Sequence, residues 1–169
     1  CGKKGVALTK AQRLKNQITN AAQVKDYQNY NLYTGIENVA DADLDVPETN
    51  ELADDFLAPA GVEFGRASTP RAHRLYRILD LDKKKHTRMF HQFRDSNEDN
   101  VLVELRAHDH YTMCGGIYDN KEEVVYSKLG KLTELNYDQF HKSVAMLALS
   151  AVLLRKVRLP NVTAHNEFY

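Results

Sequence analysis

Three aspartates alternate along the stretch Val39-Ala-Asp-Ala-Asp-Leu-Asp45. In an extended strand successive side chains point to opposite faces, so Asp41, Asp43 and Asp45 would share one face. Like charges placed side by side repel each other, and a folded core does not offset that repulsion. A hard cation such as Mg²⁺ or Mn²⁺ does, because it prefers carboxylate oxygens and can bridge them to phosphates. The pattern indicates either a metal-binding strand or a solvated acidic strand end that runs into a turn at Pro47.

The composition is typical of a soluble globular protein: 43% of the 169 residues are hydrophobic and 27% are charged. We expect one domain over residues 1–169, cut from a longer protein, because the chain begins at Cys1 and ends abruptly at Tyr169. The net charge is zero, so binding to nucleic acid would need a local basic patch. Cys1 and Cys114 form no disulfide framework, which favours a reducing, cytoplasmic compartment, and no stretch is long enough to cross a membrane.

Hydrophobic periodicity and turn residues predict the order of the elements. A lead-in over residues 1–38 contains a turn at Thr34-Gly35 and is followed by the aspartate strand and a short helix that begins at Pro47. Strands are predicted at 62–66, 73–79, 87–93, 101–106 and 124–126. A C-terminal helix begins near residue 136 or 138 and carries an apolar stripe: Phe140, Val144, Leu147, Ala148, Ala151 and Leu154. This mixed order predicts an α+β fold with a mixed or antiparallel sheet and a packed C-terminal helix.

A second cluster is the basic stretch Phe64-Gly-Arg-Ala-Ser-Thr-Pro-Arg-Ala-His-Arg-Leu-Tyr-Arg77. The planar guanidinium of arginine suits phosphate oxygens. A turn that enters a strand near residue 73 would present four polar side chains to one polyanion: Arg66, Ser68, Arg71 and His73. The alternative is an exposed basic hairpin without a ligand.

A third cluster centres on Glu104 in the apolar stretch Val101-Leu-Val-Glu-Leu-Arg106. Acidic residues are disfavoured in the middle of strands, so Glu104 is either exposed on a half-solvated sheet or meets the aspartates as a further carboxylate. Two divalent ions held by about three carboxylates are a common device for activating a hydroxyl and stabilising pyrophosphate as it leaves.

Other patterns give weaker indications. Basic residues at 83–94 alternate with Phe90 and Phe93 and could stack bases, although a β-hairpin with core-facing phenylalanines is favoured. His108, His110 and Cys114 do not match a familiar zinc spacing. The glycine-rich signatures of P-loop and Rossmann nucleotide sites are absent from the sequence, and so is that of a serine nucleophile.

In this order, the three clusters resemble the archaeo-eukaryotic primase superfamily. More narrowly, they resemble the N-terminal domain of bifunctional DNA primase/polymerases of phages, plasmids and mobile elements. That family carries an Asp-x-Asp strand, a histidine that enters a strand, and an acidic residue on a later strand. The matching segments are Asp41-Ala-Asp-Leu-Asp45, then residues 64–77 around His73, then Val103-Glu-Leu-Arg106. The similarity runs from about Tyr30 to the end, and Gly2-Lys3-Lys4 resembles the family's lead-in.

The resemblance implies a sheet like that of an RNA-recognition motif, with an adjoining α/β unit. It also implies that Glu104 and two of the three aspartates bind Mg²⁺ or Mn²⁺. The two are either Asp41 with Asp43 or Asp43 with Asp45, and Asp43 belongs to both pairs. His73 would contact the phosphates of the incoming nucleotide, with the side chains of residues 66, 68 and 71 beside it. The implied reaction is attack of a 3′-hydroxyl on an α-phosphate, with release of pyrophosphate.

The implied partners are a single-stranded DNA template with its primer, nucleoside triphosphates, and a helicase or helical primase domain on the same chain. The chain departs from the family at Ala72, where a serine is usual, and over Cys114-Gly-Gly-Ile-Tyr118, where Tyr118 could replace the usual polar contacts. Three hypotheses follow: a primase-polymerase, a polymerase that only extends primers, and a non-catalytic nucleic-acid-binding replication or mobile-element module. The sequence leaves the choice between ribonucleotides and deoxynucleotides open.

Overall fold

The computed structural model describes residues 29–82, 84–86, 89–96 and 100–157. These residues form nine strands and two α-helices, with one 3₁₀ turn at Ile36–Asn38. The strands are β1 (Tyr30–Tyr33), β2 (Val39–Leu44), β3 (Val62–Arg66), β4 (Thr69–Ile78), β5 (Phe90–Asp95), β6 (Asn100–Arg106), β7 (Tyr111–Gly115), β8 (Val125–Leu129) and β9 (Thr133–Leu135). The helices are α1 (Pro47–Phe56) and α2 (Tyr137–Val157).

Seven of the described strands form the main sheet, in the order β5-β6-β2-β4-β3-β8, with β9 paired to β4 beyond the end of β3. The β4–β9 pair is parallel, and the other pairs are antiparallel. β1 and β7 form a separate antiparallel pair. The prediction of an α+β fold with a mixed or antiparallel sheet is confirmed.

The two faces of β2 differ because its sequence alternates apolar and acidic residues. Ala40, Ala42 and Leu44 are at most 2% exposed and belong to the core that both helices join. The small alanine side chains leave room for the helices to approach the sheet. The aspartates therefore lie on the opposite face, between the neighbouring strands β4 and β6.

Both helices begin and pack where the sequence predicts them. α1 begins with Pro47 at its first turn, and the buried hydroxyl of Thr49 donates to the carbonyls of Val46 at 2.9 Å and Leu102 at 3.1 Å. These bonds tie the start of the helix to β6. α2 buries the side chains of Tyr137, Phe140, Val144, Leu147, Ala148 and Ala151. Five of the six residues of the predicted core stripe are thus confirmed, whereas Leu154 is only half-buried.

Some predictions of local structure differ from the fold. The strand expected at 87–93 spans Phe90–Asp95, and the lead-in contains β1, which the sequence did not predict. β1, β7 and β9 are short, so no long alternation marks them, and β1 and β7 are stabilised by pairing with each other. Residues 1–28, including Gly2-Lys3-Lys4, lie outside the described residues. Neither α1 nor α2 combines the length and the apolar character needed to cross a membrane.

Candidate active site

The pairing of β2 with its two neighbours brings the three sequence clusters together. Asp43 lies opposite His73 on β4 and opposite Glu104 on β6. These residues are 30 or more positions apart in the chain, so the contact depends on strand register and not on local sequence. All three are buried, between 7% and 8% exposed.

Three carboxylates are close enough to share a cation. One oxygen each from Asp43, Asp45 and Glu104 lies within 4.8 Å of the others. Asp45 directly follows β2, is exposed, and its backbone N–H donates to the carbonyl of Leu102 at 3.1 Å. Of the two aspartate pairs considered above, Asp43 with Asp45 is therefore the one that the fold groups with Glu104.

Asp41 lies beside this group in a different environment. It is fully buried, and its Oδ2 accepts a hydrogen bond from the Thr112 hydroxyl at 2.6 Å and lies 3.0 Å from His73 Nδ1. Its Oδ1 is buried without a hydrogen-bond partner. Burial raises the pKa of Asp41, but the charge and hydrogen bond of His73, with Arg106 and Thr112, lower the pKa further, so the net shift is downward. Asp41 thus holds His73 in place and is not one of the three grouped carboxylates.

His73 connects Asp41 to the candidate metal ligands. Its Nδ1 lies 3.3 Å from Asp43 Oδ1 as well as 3.0 Å from Asp41, and its ring stacks on Phe64 with centroids 4.8 Å apart. Burial lowers the pKa of His73, but the neighbouring Asp41 and Asp43 carboxylates raise it above its usual value. With Nδ1 held by the aspartates, Nε2 is the ring nitrogen that can serve a ligand in the cleft.

Arg106 is the cation at the centre of the acidic group. Its Nε donates to Glu104 Oε2 at 2.7 Å, and its Nη2 forms ion pairs with Glu104, at 2.5 Å, and with Asp43. Its Nη1 donates to the Tyr111 carbonyl at 3.2 Å and to the Thr112 hydroxyl at 3.3 Å. The sequence patterns indicated no role for Arg106, although its position two residues after Glu104 places both on the same face of β6.

Burial, with the crowding of carboxylates, raises two pKa values in this group. The pKa of Asp43 is raised to about 6 by burial and by the charges of Asp41 and Glu104, although the positive charges of His73 and Arg106 oppose the shift. Loss of solvation, with the charges of Asp43 and Glu104, raises the pKa of Asp45 to about 7. Both carboxyl groups are therefore harder to ionise than usual, and a bound divalent cation would favour their ionised forms.

A cleft of about 240 Å³ opens over these groups. Asp43, Asp45, His73 and Arg106 line one side of it, and Arg66 and Tyr118 are also in its wall. The Arg66 guanidinium lies 4.8 Å from the centre of the Tyr118 ring, and its Nε donates to the Thr69 hydroxyl at 3.1 Å. The cleft thus contains both acidic groups for a cation and a basic side chain for an anion.

The structure does not bring Ser68 and Arg71 into this cleft. The backbone N–H and hydroxyl of Ser68 donate to the Glu122 carboxylate at 2.7 and 2.6 Å. Arg71 binds Asp54 through both Nη atoms, at 2.8 and 3.0 Å, and Glu63 through Nε at 2.6 Å. The φ angle of Arg71 is 58°, which interrupts the alternation of side chains between the two faces of β4. Counting positions along the strand therefore did not predict on which side the Arg71 side chain lies.

Further contacts complete the surroundings of Glu104. Gln92 on β5 donates to Glu104 Oε1 at 2.5 Å.

The side chains of the weaker sequence patterns lie in different surroundings. Phe90 is 40% exposed and packs against the His110 ring, whereas Phe93 packs against the core. Among the described residues, the one group of three or more metal-ligating side chains is the carboxylate trio, so the fold does not gather His108, His110 and Cys114 into a zinc site.

Comparison with known proteins does not identify the chain. It matches no family model, and no curated protein is significantly similar to it.

Proposed function

We propose that this protein is a metal-dependent nucleotidyltransferase of the primase-polymerase type. The observation that carries the proposal is the convergence of Asp43, Asp45 and Glu104, one oxygen each within 4.8 Å, beside His73. Three separate segments of the chain supply these residues in the order that the primase-polymerase family uses. The antiparallel pairing of β2 with β4 and β6 brings the side chains of these three segments together, and this geometry supports the resemblance.

The residues present fit one or more hard divalent cations. The donors are all carboxylate oxygens, and burial together with mutual repulsion raises the pKa values of Asp43 and Asp45 in the absence of a cation. Bound Mg²⁺ or Mn²⁺ would lower the pKa of an attacking hydroxyl and neutralise charge on the phosphates. Asp43, Asp45 and Glu104 would hold it.

The remaining side chains of the cleft would bind and orient the nucleotide. His73 Nε2 and the Arg66 guanidinium would donate to phosphate oxygens, which stabilises the charge that develops as pyrophosphate leaves. Asp41 and Thr112 would act only through His73 and Arg106, by keeping these side chains in position. The bond that forms joins the primer 3′-oxygen to the α-phosphorus, and the bond that breaks joins that phosphorus to the leaving pyrophosphate.

Primer extension tests the proposal. The wild type, supplied with a primed single-stranded template, nucleoside triphosphates and Mg²⁺ or Mn²⁺, should extend the primer. Asp43→Asn and Glu104→Gln should each reduce the rate by about a hundredfold or more, since loss of even the groups that support metal ligands costs about 10- to 100-fold. Omitting the primer then distinguishes a primase from an enzyme that only extends.

Asp55→Asn is the matched control for these variants. Asp55 is an exposed carboxylate of α1, on the helix that packs against the other face of the sheet. Its substitution removes the same charge and should leave the extension rate unchanged. Equal rates for the wild type and Asp43→Asn would contradict the proposed function.

A further inference from the structure

Phe90 presents an aromatic ring to solvent at the edge of the main sheet. It is 40% exposed, whereas every other phenylalanine and tyrosine that the structure describes is buried or half-buried. A single exposed apolar side chain is common on protein surfaces, so its exposure alone indicates no ligand. The position of this ring, beside the proposed active site, gives the exposure a meaning.

Strand register places Phe90 on the face of the sheet that carries the carboxylates. Glu104 on β6 lies between Asp43 of β2 and Gln92 of β5, directly opposite each of them. Phe90 precedes Gln92 by two residues, so it projects from the same face, opposite Arg106. The Cβ atoms of directly opposite residues in an antiparallel pair are about 5 Å apart, so the ring begins next to the Arg106 side chain.

Two further side chains complete this surface, which we call the β5 platform: Phe90, His110 and Arg94. The rings of Phe90 and His110 meet edge-on, with centroids 3.9 Å apart and planes at 61°. Arg94 is exposed, and its Nη2 donates to Gln92 Oε1 at 2.9 Å, which draws the guanidinium to the same face. The platform thus combines an aromatic ring with a cation, the two features with which proteins bind single-stranded nucleic acid.

The order of the strands favours nucleic acid on this side of the site. The sheet order is β5-β6-β2-β4-β3, so β2 separates the β5 platform from His73 on β4 and Arg66 on β3. In the proposed function these two side chains bind the phosphates of the nucleotide. The attacking and leaving oxygens of phosphoryl transfer lie roughly in line, on opposite sides of the phosphorus. Pyrophosphate held over β4 and β3 therefore leaves the space over β6 and β5 for the primer and its template.

We propose that the β5 platform binds the single-stranded template, with one unpaired base stacked on Phe90. This inference rests on the proposed function, because it names the place where the same enzyme holds its template. Every nucleobase has a flat face, so stacking on Phe90 binds a strand without reading its sequence. Arg94 contacts a phosphate of the same strand.

A fluorescent reporter tests the inference without catalysis. The chain contains no tryptophan, so Phe90→Trp in the full chain supplies a single indole on the platform. A single-stranded oligodeoxynucleotide should quench its fluorescence by stacking on it, whereas a nucleoside triphosphate alone should not. Leu149→Trp is the matched control, because Leu149 is 54% exposed on α2, which packs against the other face of the sheet. Its fluorescence should not change with either ligand.

Affinity measurements separate stacking from charge. Phe90→Leu keeps an apolar side chain but removes the aromatic face. It should bind a labelled oligodeoxynucleotide about tenfold more weakly in fluorescence anisotropy, within the range for loss of one stacked base. The loss should be the same at every salt concentration, since stacking releases no counterions, and Phe90→Tyr should restore wild-type binding. Arg94→Gln should instead reduce the salt slope by about 0.7, the effect of one phosphate contact with a single strand.

Several outcomes would overturn the inference. Quenching of Phe90→Trp no greater than that of Leu149→Trp would do so, as would equal affinities of Phe90→Leu and the wild type. Equal quenching by the triphosphate alone would assign the ring to the incoming nucleotide and not to the template. If Phe90→Leu does not fold, the two tryptophan variants decide the question.

The inference and the proposed function fail in different ways. A protein that extends primers but binds DNA with the same affinity after Phe90→Leu contradicts only this inference. A protein that binds single-stranded DNA through Phe90 but never extends a primer contradicts only the proposed function.

Discussion

Several buried polar side chains in this protein form hydrogen bonds with partners that are remote in sequence. Thr112 is fully buried, and its hydroxyl donates to Asp41 at 2.6 Å across 71 positions of the chain. A hydrogen bond to a buried carboxylate stabilises the fold more than a similar bond at the surface does. Loss of the buried bond leaves a charged oxygen without a donor, whereas water can replace the surface bond. The side chain of Thr112 therefore supports both the stability of the protein and the position of His73.

Thr112→Val should destabilise the protein by about 1–3 kcal/mol, since valine keeps the shape of threonine and removes the donor to Asp41. Urea unfolding measures the change. Thr133→Val is the control, because the Thr133 hydroxyl donates to the Pro59 carbonyl at 2.6 Å in an exposed setting, where water can replace it. Equal losses for both variants would show that burial of the Asp41 carboxylate does not determine the cost.

Asp54 links stability to pH. Hydrogen bonds from Arg71 and Arg74 lower the pKa of Asp54 to about 2, from an ordinary value of 3.8. A carboxyl with a depressed pKa stabilises the fold above its unfolded-state value, and this contribution is lost as the pH falls through the folded-state value. Asp54→Asn should therefore be less stable than the wild type at pH 7. We expect a loss of about 1–3 kcal/mol: solvent screens the exposed Asp54 carboxylate, but the fully buried Arg74 side chain would lose its charged partner.

The difference between wild type and Asp54→Asn should shrink between about pH 4 and pH 2, where the wild-type carboxylate is progressively neutralised. Thermal unfolding at a series of pH values measures it. Asp55→Asn, at the neighbouring exposed position, should follow the wild type over this range. A stability difference that stays constant down to pH 2 would contradict the role given to Asp54.

At the scale of elements, α2 has two faces with different roles. Leu147 is fully buried in the core, whereas Leu149, two residues later, is 54% exposed. The helical period separates these side chains by about 200°, so one packs on the sheet and the other points to solvent. The buried face therefore packs the helix on the sheet, and the ion pair of Arg155 with Glu48 adds a contact to α1.

Leu147→Ala should cost about 2–5 kcal/mol, the range for a leucine removed from a well-packed core. Leu149→Ala makes the same chemical change on the same helix and should cost well under this, about 0.5 kcal/mol, as at other surface sites. Denaturant unfolding of both variants provides the comparison. A large loss for Leu149→Ala would indicate that its face of α2 is covered in solution.

At the scale of the whole molecule, a balanced charge limits binding to nucleic acid. The chain carries 23 basic Lys and Arg residues and 23 acidic residues, so no long-range field attracts a polyanion. If the protein binds a template, the binding must come from local groups near the cleft, such as Arg66. Few phosphate contacts mean modest affinity with a moderate salt dependence.

For about three phosphate contacts, the logarithm of the affinity for single-stranded DNA should fall with the logarithm of salt concentration with a slope of about −2. Fluorescence anisotropy with a labelled oligonucleotide measures this slope. Arg66→Gln should reduce the slope by about 0.7 if Arg66 contacts a phosphate of the strand. Binding that does not depend on salt would contradict a phosphate-binding cleft.

The fold class and much of the candidate site could be predicted from local patterns. Alternation along residues 39–45 predicted the strand and the shared face of its aspartates, and the apolar stripe of α2 predicted its buried side. Glu104 stood out because acidic residues are unusual in the middle of strands, and His73 because it lies in the basic stretch 64–77 that resembles the family's histidine motif. Such patterns depend only on neighbours within one or two turns or strand periods, which a sequence shows directly.

Tertiary structure alone decided which of these side chains meet. The register of β2 with β4 and β6 separates Asp41, which Thr112 and His73 bind, from the group of Asp43, Asp45 and Glu104. The positions of Ser68 and Arg71 outside the cleft, and of Arg106 within it, depend on partners remote in sequence or on a single backbone angle. The physical reason is that local periodicity determines the face on which a side chain lies, whereas long-range strand pairing determines its neighbours and therefore its charge environment.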